Sequence, residues 1–552
     1  MSAHARLRAL GWLLALLAAG LLFARLGERG LLESSEARYA ETAREMSLSG
    51  DWVTPRFFGV KHFHKPPLTY WLTSAGYALF GVDEFGARFF LVVAGLATLW
   101  LVWWMGRLWY GPRAGLLAAG ILLTTPLFCT FTRVLTTDLY LTLASTAAVA
   151  AFLAGHLGRR GGYLSMWLAL GAGFLLKGPV ALMLVACAVL PFLWLEGRPG
   201  QWREVCPGAG LALFAVVALP WFVAVCWMNP GLFSRFVFYE TLERVATTVH
   251  GRTGSPAYFV GVFLAGFFPW SLLAPAAAVA RWPLVRQGGP GGRADRLFAG
   301  WFAVPFVIFS LSKSKLMAYI LPIFPPAALL LAAWMDRALE GDWRSPRSAC
   351  RGALIGAAGG VAVLGLAFGP LADDSTAGLR AHLPLALPVL LLWALSAHAA
   401  GLRGSVRPLL AGTCAVALLY PALVAPHGDR LEGEYGSLKS LALVLRREAR
   451  PGDPVLLCRQ GATSIPFYLG RPVHTFESDV DLRFEPDRTA AERWHLGRME
   501  QVVELLAAGP AWLVGHGDTL LEVDRAQRAV TGRSLRFVAR AGKVLLARSE
   551  GR

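Results

Sequence analysis

Charged residues are scarce in this sequence. Asp, Glu, Lys and Arg make up 16% of its 552 residues, whereas hydrophobic residues make up 55%. A soluble globular domain normally carries about a quarter of charged residues. The shortage, together with a mean hydropathy of +0.49, excludes an ordinary soluble protein.

Cysteine pairs and nucleotide motifs are absent as well. The seven cysteines show no CxxC spacing, and only Cys458 falls in the polar C-terminal region. A disulfide within that region and a metal site of the cysteine type are therefore excluded. The chain has no GxxxxGK[ST] motif for binding nucleotide phosphates, and it has no internal repeats or low-complexity tract.

Long apolar runs dominate what is present. They reach the ~20 residues that a helix needs to cross the hydrocarbon core, and inside lipid such runs must be helical because every backbone polar group needs an internal partner. The sequence predicts an α-helical polytopic membrane protein. Its spans, about thirteen, lie near residues 10–25, 88–105, 114–130, 139–156, 163–176, 179–195, 207–227, 258–280, 297–311, 319–334, 352–371, 384–400 and 408–425.

The distribution of arginine predicts the orientation. The first apolar run lacks a small-residue cleavage site after Phe23, so it is interpreted as a retained span rather than a signal peptide. If the N-terminus is cytoplasmic, every connection on that side is basic, as the positive-inside rule requires. This explains the net charge of +17 without a nucleic-acid partner. An odd number of spans then places the C-terminus in the periplasm of a bacterial inner membrane.

Two outer segments are too long to be simple connections. The first, about residues 26–87, is predicted to contain a helix that ends at Gly50, and Pro66-Pro67 starts another. The second, residues 427–552, has an ordinary soluble composition. Its short β-type runs, at 454–458, 511–514 and 543–546, alternate with helical stretches, which predicts a small α/β domain. The predicted division is a membrane domain over 1–426 and a periplasmic domain over 427–552.

Ionisable side chains cluster at the outer ends of the predicted spans, where such groups are costly and usually functional. Carboxylates suit a general base and cations suit a bound phosphate. Individually, these residues have plainer interpretations: Asp138 could be an N-cap, and Lys177 could be a snorkelling anchor. Their shared membrane face favours a site. The candidates are Glu33, Glu36, Arg38, His64, Lys65, Asp138, Lys177, Lys313, Lys315 and Tyr319.

Several strings of residues stand out as long and specific. They are Glu36–Glu41, Ala43–Met46, Ser49–Pro55, His64–Trp71, Phe85–Arg88, Thr137–Asp138, Leu176–Gly178, residues 239–252 and Lys315–Pro322. In these strings the chain resembles the GT-C membrane glycosyltransferases that use lipid-phosphate sugars. The nearest branch is the aminoarabinose transferases acting on lipid A, which are related to the protein O-mannosyltransferases.

The resemblance implies an inverting transfer of a hexose or pentose from undecaprenyl (polyprenyl) phosphate to a periplasmic acceptor, which could be lipid A, another glycan or a protein. The family's first-loop acid, the proposed base, corresponds to Glu36. Glu33 is the alternative, because Ser35 stands where the family commonly has another acid. Asp138 matches the second family acid. The residues implied to contact the carrier phosphate are Lys65, Arg38, Lys177, Lys315 and Tyr319.

Such chemistry needs no cofactor. His64 and Glu240 stand where the similar branch has Glu and a Glu-His pair, so a divalent metal held by these two residues is an open alternative. Two ligands are few for zinc, and no metal is predicted to be required.

Two other functions remain as alternatives. A lipid or solute transporter, such as a flippase, would show inverted repeats and charges at the midplane. A purely structural membrane protein would tolerate loss of the loop cations. Charges at outer span ends favour the enzyme.

Overall fold

The computed structural model describes most of the chain. The described residues are 2–33, 35–159, 161–197, 199–205, 208–234, 236, 255–287, 292–340, 391–400, 405–428, 436–459, 462–478, 482–485 and 487–550. The predicted span near 352–371 and part of the one near 384–400 lie outside these residues.

The described chain is mostly helical as far as residue 428. The helices are α1 (Ala3–Phe23), α2 (Glu36–Ser49), α3 (Leu68–Phe80), α4 (Glu84–Tyr110), α5 (Pro112–Leu123), α6 (Pro126–Phe131), α7 (Thr137–His156), α8 (Gly162–Lys177), α9 (Pro179–Leu195), α10 (Trp202–Val205), α11 (Gly208–Met228), α12 (Leu232–Ser234), α13 (Tyr258–Gly266), α14 (Ala274–Gln287), α15 (Arg293–Leu311), α16 (Phe324–Leu339), α17 (Leu391–Ala400) and α18 (Arg407–Gly428).

Within the described residues, six helices are long and apolar enough to cross a membrane, and five shorter apolar helices accompany them. The prediction of a helical, multi-pass membrane protein is therefore confirmed. The six long helices are Ala5–Phe23, Glu84–Tyr110, Thr137–His156, Gly208–Met228, Arg293–Leu311 and Met317–Leu339.

Two predicted spans are interrupted. The run near 114–130 divides into α5 and α6 at Thr124–Thr125, because a residue that precedes proline, here Pro126, is disfavoured in a helix. The run near 258–280 divides into α13 and α14 around a 3₁₀ turn at Trp270–Leu272. Pro269 and Pro275 lie there, and neither can donate a backbone hydrogen bond to a continuous helix.

α7 lies among the other membrane helices and packs against α4, α8, α9 and the 3₁₀ helix Met317–Ile323. Small residues allow such close packing. Between α4 and α5, for example, a Cβ added to Gly106 would lie 2.9 Å from the Cα of Gly115. α7 and α8 form an antiparallel hairpin, so the start of α7 lies beside the end of α8.

The segment between α1 and α4, residues 24–83, is called the first loop. α2 ends at Gly50, whose φ of 69° is the left-handed conformation that glycine adopts easily. Strands β1 (Arg56–Phe57) and β2 (Val60–Lys61) then form a small antiparallel hairpin. α3 begins directly after Pro66-Pro67, and both predicted helix boundaries are confirmed.

Residues 436–550 are called the tail. Its strands are β3 (Val455–Cys458), β4 (His474–Phe476), β5 (His495–Leu496), β6 (Pro510–His516), β7 (Arg536–Ala541) and β8 (Val544–Glu550). Its helices are α19 (Lys439–Glu448), α20 (Ile465–Leu469), α21 (Arg488–Glu492), α22 (Met499–Ala508) and α23 (Gly517–Thr531).

The tail strands form one sheet in the order β5-β4-β3-β6-β8-β7. The first four are parallel to one another. Strand β8 is antiparallel to its neighbour β6, and β7 is antiparallel to β8. Apolar side chains cover both faces, with Trp512 and Val514 in one core and Leu513 and Ala511 in the other. This alternation fits a sheet buried on both sides.

The tail packs onto the first loop. The hydroxyl of Tyr468 accepts a hydrogen bond from the Leu31 amide at 2.7 Å and donates to Glu84 at 3.0 Å. Lys439 forms an ion pair with the same Glu84 at 2.6 Å. The tail therefore contacts the segments that lead into α2 and α4.

Candidate active site

Asp138 lies in the first turn of α7. The side chain of Thr136 caps this helix by accepting from the Asp138 amide, so the Asp138 carboxylate is not needed as the N-cap. Its Oδ1 contacts the ammonium of Lys177 at 2.5 Å, and the two side chains are only 11% and 14% exposed. The other carboxylate oxygen has no hydrogen bond within the described part of the chain.

Lys177 is the last residue of α8. It is followed by Gly178 at φ 59°, a conformation that turns the chain sharply into α9. Its ammonium lies 4.6 Å from the centre of the Tyr319 ring, within the range of a cation–π contact. The structure thus brings together Asp138, Lys177 and Tyr319.

Lys315 lies close to this group along the chain but makes other contacts. Its ammonium donates to the carbonyl oxygens of Phe309 and Ser310 at 3.0 Å and 2.7 Å, and it lies 5.1 Å from the centre of the Phe259 ring. Lys315 therefore caps the end of α15 and is 5% exposed.

Glu36 is fully buried at the start of α2, where both of its carboxylate oxygens are engaged. Arg88 donates to them at 2.7 Å and 3.0 Å, and Arg29 lies 3.3 Å away. The amides of Leu32 and Leu135 also donate to this carboxylate. Burial alone would raise the pKa of Glu36, but the two arginines outweigh it and lower the pKa to about 2.

The hydrogen bond from the Leu135 amide links Glu36 to the segment that carries Asp138. Leu135 precedes Asp138 by three residues, in the short segment between α6 and α7. Arg133 in the same segment donates to the Ala24 carbonyl, and its own carbonyl accepts from Arg29. Glu36 therefore helps to fix the segment that positions Asp138.

Glu33 is turned toward the tail. Its carboxylate accepts from the amides and hydroxyls of Thr463 and Ser464, which precede α20. Burial raises the pKa of Glu33 to about 7, although these hydrogen bonds oppose the shift. Glu33 therefore joins the first loop to the tail.

The raised pKa of Glu33 predicts that the stability of the folded protein depends on pH. An unfolded glutamate titrates at about 4.3, so the folded state binds this proton more tightly. The stabilisation is fully present below the unfolded pKa and is lost as pH rises through about 7. Thermal unfolding in detergent should show that Glu33→Gln flattens the decline in melting temperature between about pH 5 and pH 8. The exposed Glu500→Gln is the control, and a slope unchanged by Glu33→Gln would contradict the assignment.

The other candidate residues of the first loop, Arg38, His64 and Lys65, lie in or near the hairpin. The guanidinium of Arg38 lies 5.9 Å from the centre of the Phe57 ring. The rings of His62 and His64 are 4.3 Å apart, and the ammonium of Lys65 donates to the His64 carbonyl at 3.0 Å. Arg38, His64 and Lys65 are thus associated with one small structural unit.

Phe63 connects this unit to the end of α8. It packs in one apolar cluster with Leu175 and Trp221. Leu175 is two residues from Lys177, so the segment that carries Lys65 packs beside the helix end that carries Lys177.

A divalent metal at His64 and Glu240 remains an open alternative, and none is predicted to be required. The described residues contain no group of three or more His, Cys, Asp or Glu side chains that could hold a metal ion. The His64 ring lies against the His62 ring at an angle of 32°, and Glu240 lies outside the described residues.

Sequence reasoning missed the partner of Glu36. Arg88 is 1% exposed inside a membrane-spanning helix, and such a buried charge is itself a signal of an important site. The residue was present in the string Phe85–Arg88, but the pattern assigned it no role.

Comparison with known proteins places these features in a family. A model of dolichyl-phosphate-mannose-protein mannosyltransferases matches residues 64–224. An undecaprenyl phosphate-alpha-4-amino-4-deoxy-L-arabinose arabinosyl transferase of Edwardsiella ictaluri is 35% identical over 62% of this chain and 62% of that protein. The transferase of the same name from Pseudomonas aeruginosa is 33% identical over 79% of this chain and 84% of that protein.

The chain belongs to this arabinosyl transferase family.

The predicted resemblance is therefore confirmed. The match to the Edwardsiella relative spans about three fifths of that protein's length, whereas the match to the Pseudomonas relative spans most of it. Membership in a bacterial family, together with the membrane-spanning helices, makes the chain a multi-pass protein of the bacterial inner membrane.

A solved structure of the family has the same fold along nearly the whole chain. ArnT from Cupriavidus metallidurans in the apo state is 27% identical, with a TM-score of 0.79 and 98% of each chain covered. The same protein bound to undecaprenyl phosphate gives a TM-score of 0.77 at 26% identity, again with 98% of each chain covered. The shared fold therefore includes the tail as well as the membrane helices.

Proposed function

We propose that this chain is an inverting glycosyltransferase. It transfers a pentose of the aminoarabinose type from undecaprenyl phosphate to lipid A or a similar glycolipid. The observation that carries the proposal is the buried Asp138–Lys177 pair, which lies beside Tyr319. The family's names supply the donor class.

We propose the predicted topology of about thirteen spans with a cytoplasmic N-terminus and a periplasmic α/β tail. The two ends of the helical bundle support it. At one end, Arg113 of α5 pairs with Asp336 and Glu340 near the end of α16. Asp138 and Lys177 lie at the opposite end of α7 and α8 from Arg159. Arginine-rich helix ends are typical of the cytoplasmic side.

The proposed reaction is a direct displacement at the anomeric carbon. Asp138 accepts the proton of the acceptor hydroxyl through its second carboxylate oxygen, as the acceptor oxygen bonds to the anomeric carbon. The bond from that carbon to the phosphate oxygen breaks, and undecaprenyl phosphate leaves. Lys177 and Lys65 stabilise the negative charge that develops on the leaving phosphate.

The other candidate residues have supporting roles in this proposal. Glu36 positions the Asp138 segment through Leu135, and Glu33 holds the tail. Arg38 and Tyr319 border the donor phosphate, and Lys315 fixes the end of α15 near them. No step is assigned to a metal at His64 or Glu240.

Sugar transfer by the purified chain tests the function. The protein in detergent is mixed with undecaprenyl-phosphate-linked aminoarabinose and lipid A, and mass spectrometry follows the lipid A mass. A mass gain of one aminoarabinose residue supports the proposal. Movement of labelled carrier lipid across the membrane of vesicles, without transfer of the sugar, would instead favour a flippase.

The cations should control donor affinity. A hydrogen bond to a charged group contributes about 1.5–3 kcal/mol, so Lys65→Met and Lys177→Met should each weaken binding of undecaprenyl phosphate by about tenfold to a hundredfold. Titration of the lipid against detergent-solubilised protein measures this effect. Lys543→Met, which removes an exposed tail cation, is the matched control. Unchanged affinity in both site variants would contradict their assignment.

A further inference from the structure

The tail holds the β1–β2 hairpin at several points. Glu485 accepts a hydrogen bond from the Lys61 amide at 2.6 Å, and it lies 3.7 Å from the guanidinium of Arg56. These two residues are paired across the hairpin. One tail carboxylate therefore contacts both strands.

Phe484, next to Glu485, makes the second contact. Its ring meets the ring of Phe63 edge to face, with centroids 5.4 Å apart. Phe63 is 2% exposed and packs on its other side near Leu175 and Trp221. Phe63 thus lies between the tail and the end of α8.

The turn of the hairpin is held as well. Phe58 and Gly59 both have positive φ values, 55° and 75°, as expected for a tight two-residue turn. The Glu45 carboxylate of α2 accepts from the Gly59 amide at 3.0 Å. From the tail side, the apolar core that contains Trp512 and Val514 packs against Phe58.

The held segment leads directly to the proposed donor site. Lys65 lies four residues after Lys61 and two after Phe63. Displacement of the hairpin would move the Lys65 ammonium, and loss of the Phe63 contact would loosen packing beside Lys177. A displaced Lys65 ammonium would bind the donor phosphate less tightly, because a charge-assisted hydrogen bond depends on its geometry.

We propose that Phe484 and Glu485 are positioning residues for the donor phosphate, so that the tail completes the binding site for undecaprenyl phosphate. The inference rests on the proposed function. It assigns the tail a direct part in donor affinity, whereas the chemical step stays with the membrane helices.

Variants of Glu485 test the proposal. Glu485→Gln keeps an acceptor for the Lys61 amide, but Glu485→Leu removes it. Glu485→Leu should raise both the Kd for undecaprenyl phosphate and the KM for the sugar donor by about fivefold to fiftyfold, with kcat changed less than about twofold. Glu485→Gln should restore most of the affinity. Phe484→Ala serves as an independent second variant with the same expected direction.

Hydrogen exchange provides the structural readout. Exchange should accelerate in residues 56–65 of Glu485→Leu and stay unchanged in the central strand Val455–Cys458. Glu477→Leu, which breaks the exposed pair with Arg459 in the same tail, is the matched control and should leave donor affinity unchanged.

Each outcome is decisive. Faster exchange in residues 56–65 with unchanged Kd and KM would overturn the proposal, because the tail would then serve stability alone. A change confined to kcat would overturn it as well. If the unaltered protein bound no undecaprenyl phosphate, the proposed function itself would fail, and this inference with it.

Discussion

Asp138→Asn is expected to lower the rate of sugar transfer by about a hundredfold to ten thousandfold at saturating donor, which is the usual contribution of a general base. The protein should remain folded. Thr136 rather than Asp138 caps α7, and an asparagine oxygen can still accept from Lys177. The measurement is kcat in the purified assay, with donor Kd determined in parallel.

The kinetics of single variants separate Asp138 from Glu36 as the base. Removal of the base slows the chemical step, whereas Glu36→Gln leaves the Leu135 amide with an acceptor. We expect Asp138→Asn to lower kcat by the full factor above and Glu36→Gln to lower kcat by less. The opposite pattern would assign the base to Glu36.

Asp83→Asn is the matched control for Asp138→Asn. Asp83 also lies at a helix start, where it caps α4 by accepting from the Gly86 amide at 2.7 Å. If Asp138 were only a residue at a helix terminus, the two variants would lose similar activity. A loss restricted to Asp138→Asn would show that the position contributes chemistry.

Local patterns predicted the parts of the fold that depend on neighbouring residues. Gly50 ends α2 and Pro66-Pro67 precedes α3, because backbone conformation at these positions is fixed by the residue itself. In the tail, the apolar runs predicted strands at β3, β6 and β8. Strands β4 and β5 have only three and two residues, too few for an alternating pattern to be visible.

The sequence also grouped Asp138 and Lys177 on one membrane face but could not pair them. Their contact joins residues 39 apart, and it exists because α7 and α8 pack as a hairpin. Glu33 contacts Thr463, a separation of 430 residues. Such partners depend on tertiary packing, so a charge pattern along the chain could predict a candidate site but not which residues contact one another within it.

Arg88→Met is expected to destabilise the membrane fold by about 3–5 kcal/mol, because it removes one partner of a buried pair and leaves Arg29, 3.3 Å away, as the remaining cation beside Glu36. Glu36 and Arg88 are 0% and 1% exposed. Arg88 also donates to the carbonyls of Leu26, Arg29 and Gly30, so the change should loosen the start of the first loop. Thermal unfolding in detergent measures the effect.

The double variant Glu36→Leu/Arg88→Met identifies the cause. Replacing both side chains removes the carboxylate that Arg88→Met leaves with Arg29 alone, and hydrophobic replacement of a whole buried pair is often nearly neutral. The double variant should therefore be more stable than Arg88→Met alone, with the remaining deficit arising from the lost acceptor of the Leu135 amide and the unsatisfied loop carbonyls. If the double variant were the less stable of the two, the Glu36 charge would not be the source of the penalty. If Glu36 is a positioning residue, transfer activity in this series should be highest in the variants that keep an acceptor for the Leu135 amide. The reason is that the segment containing Leu135 leads directly to Asp138.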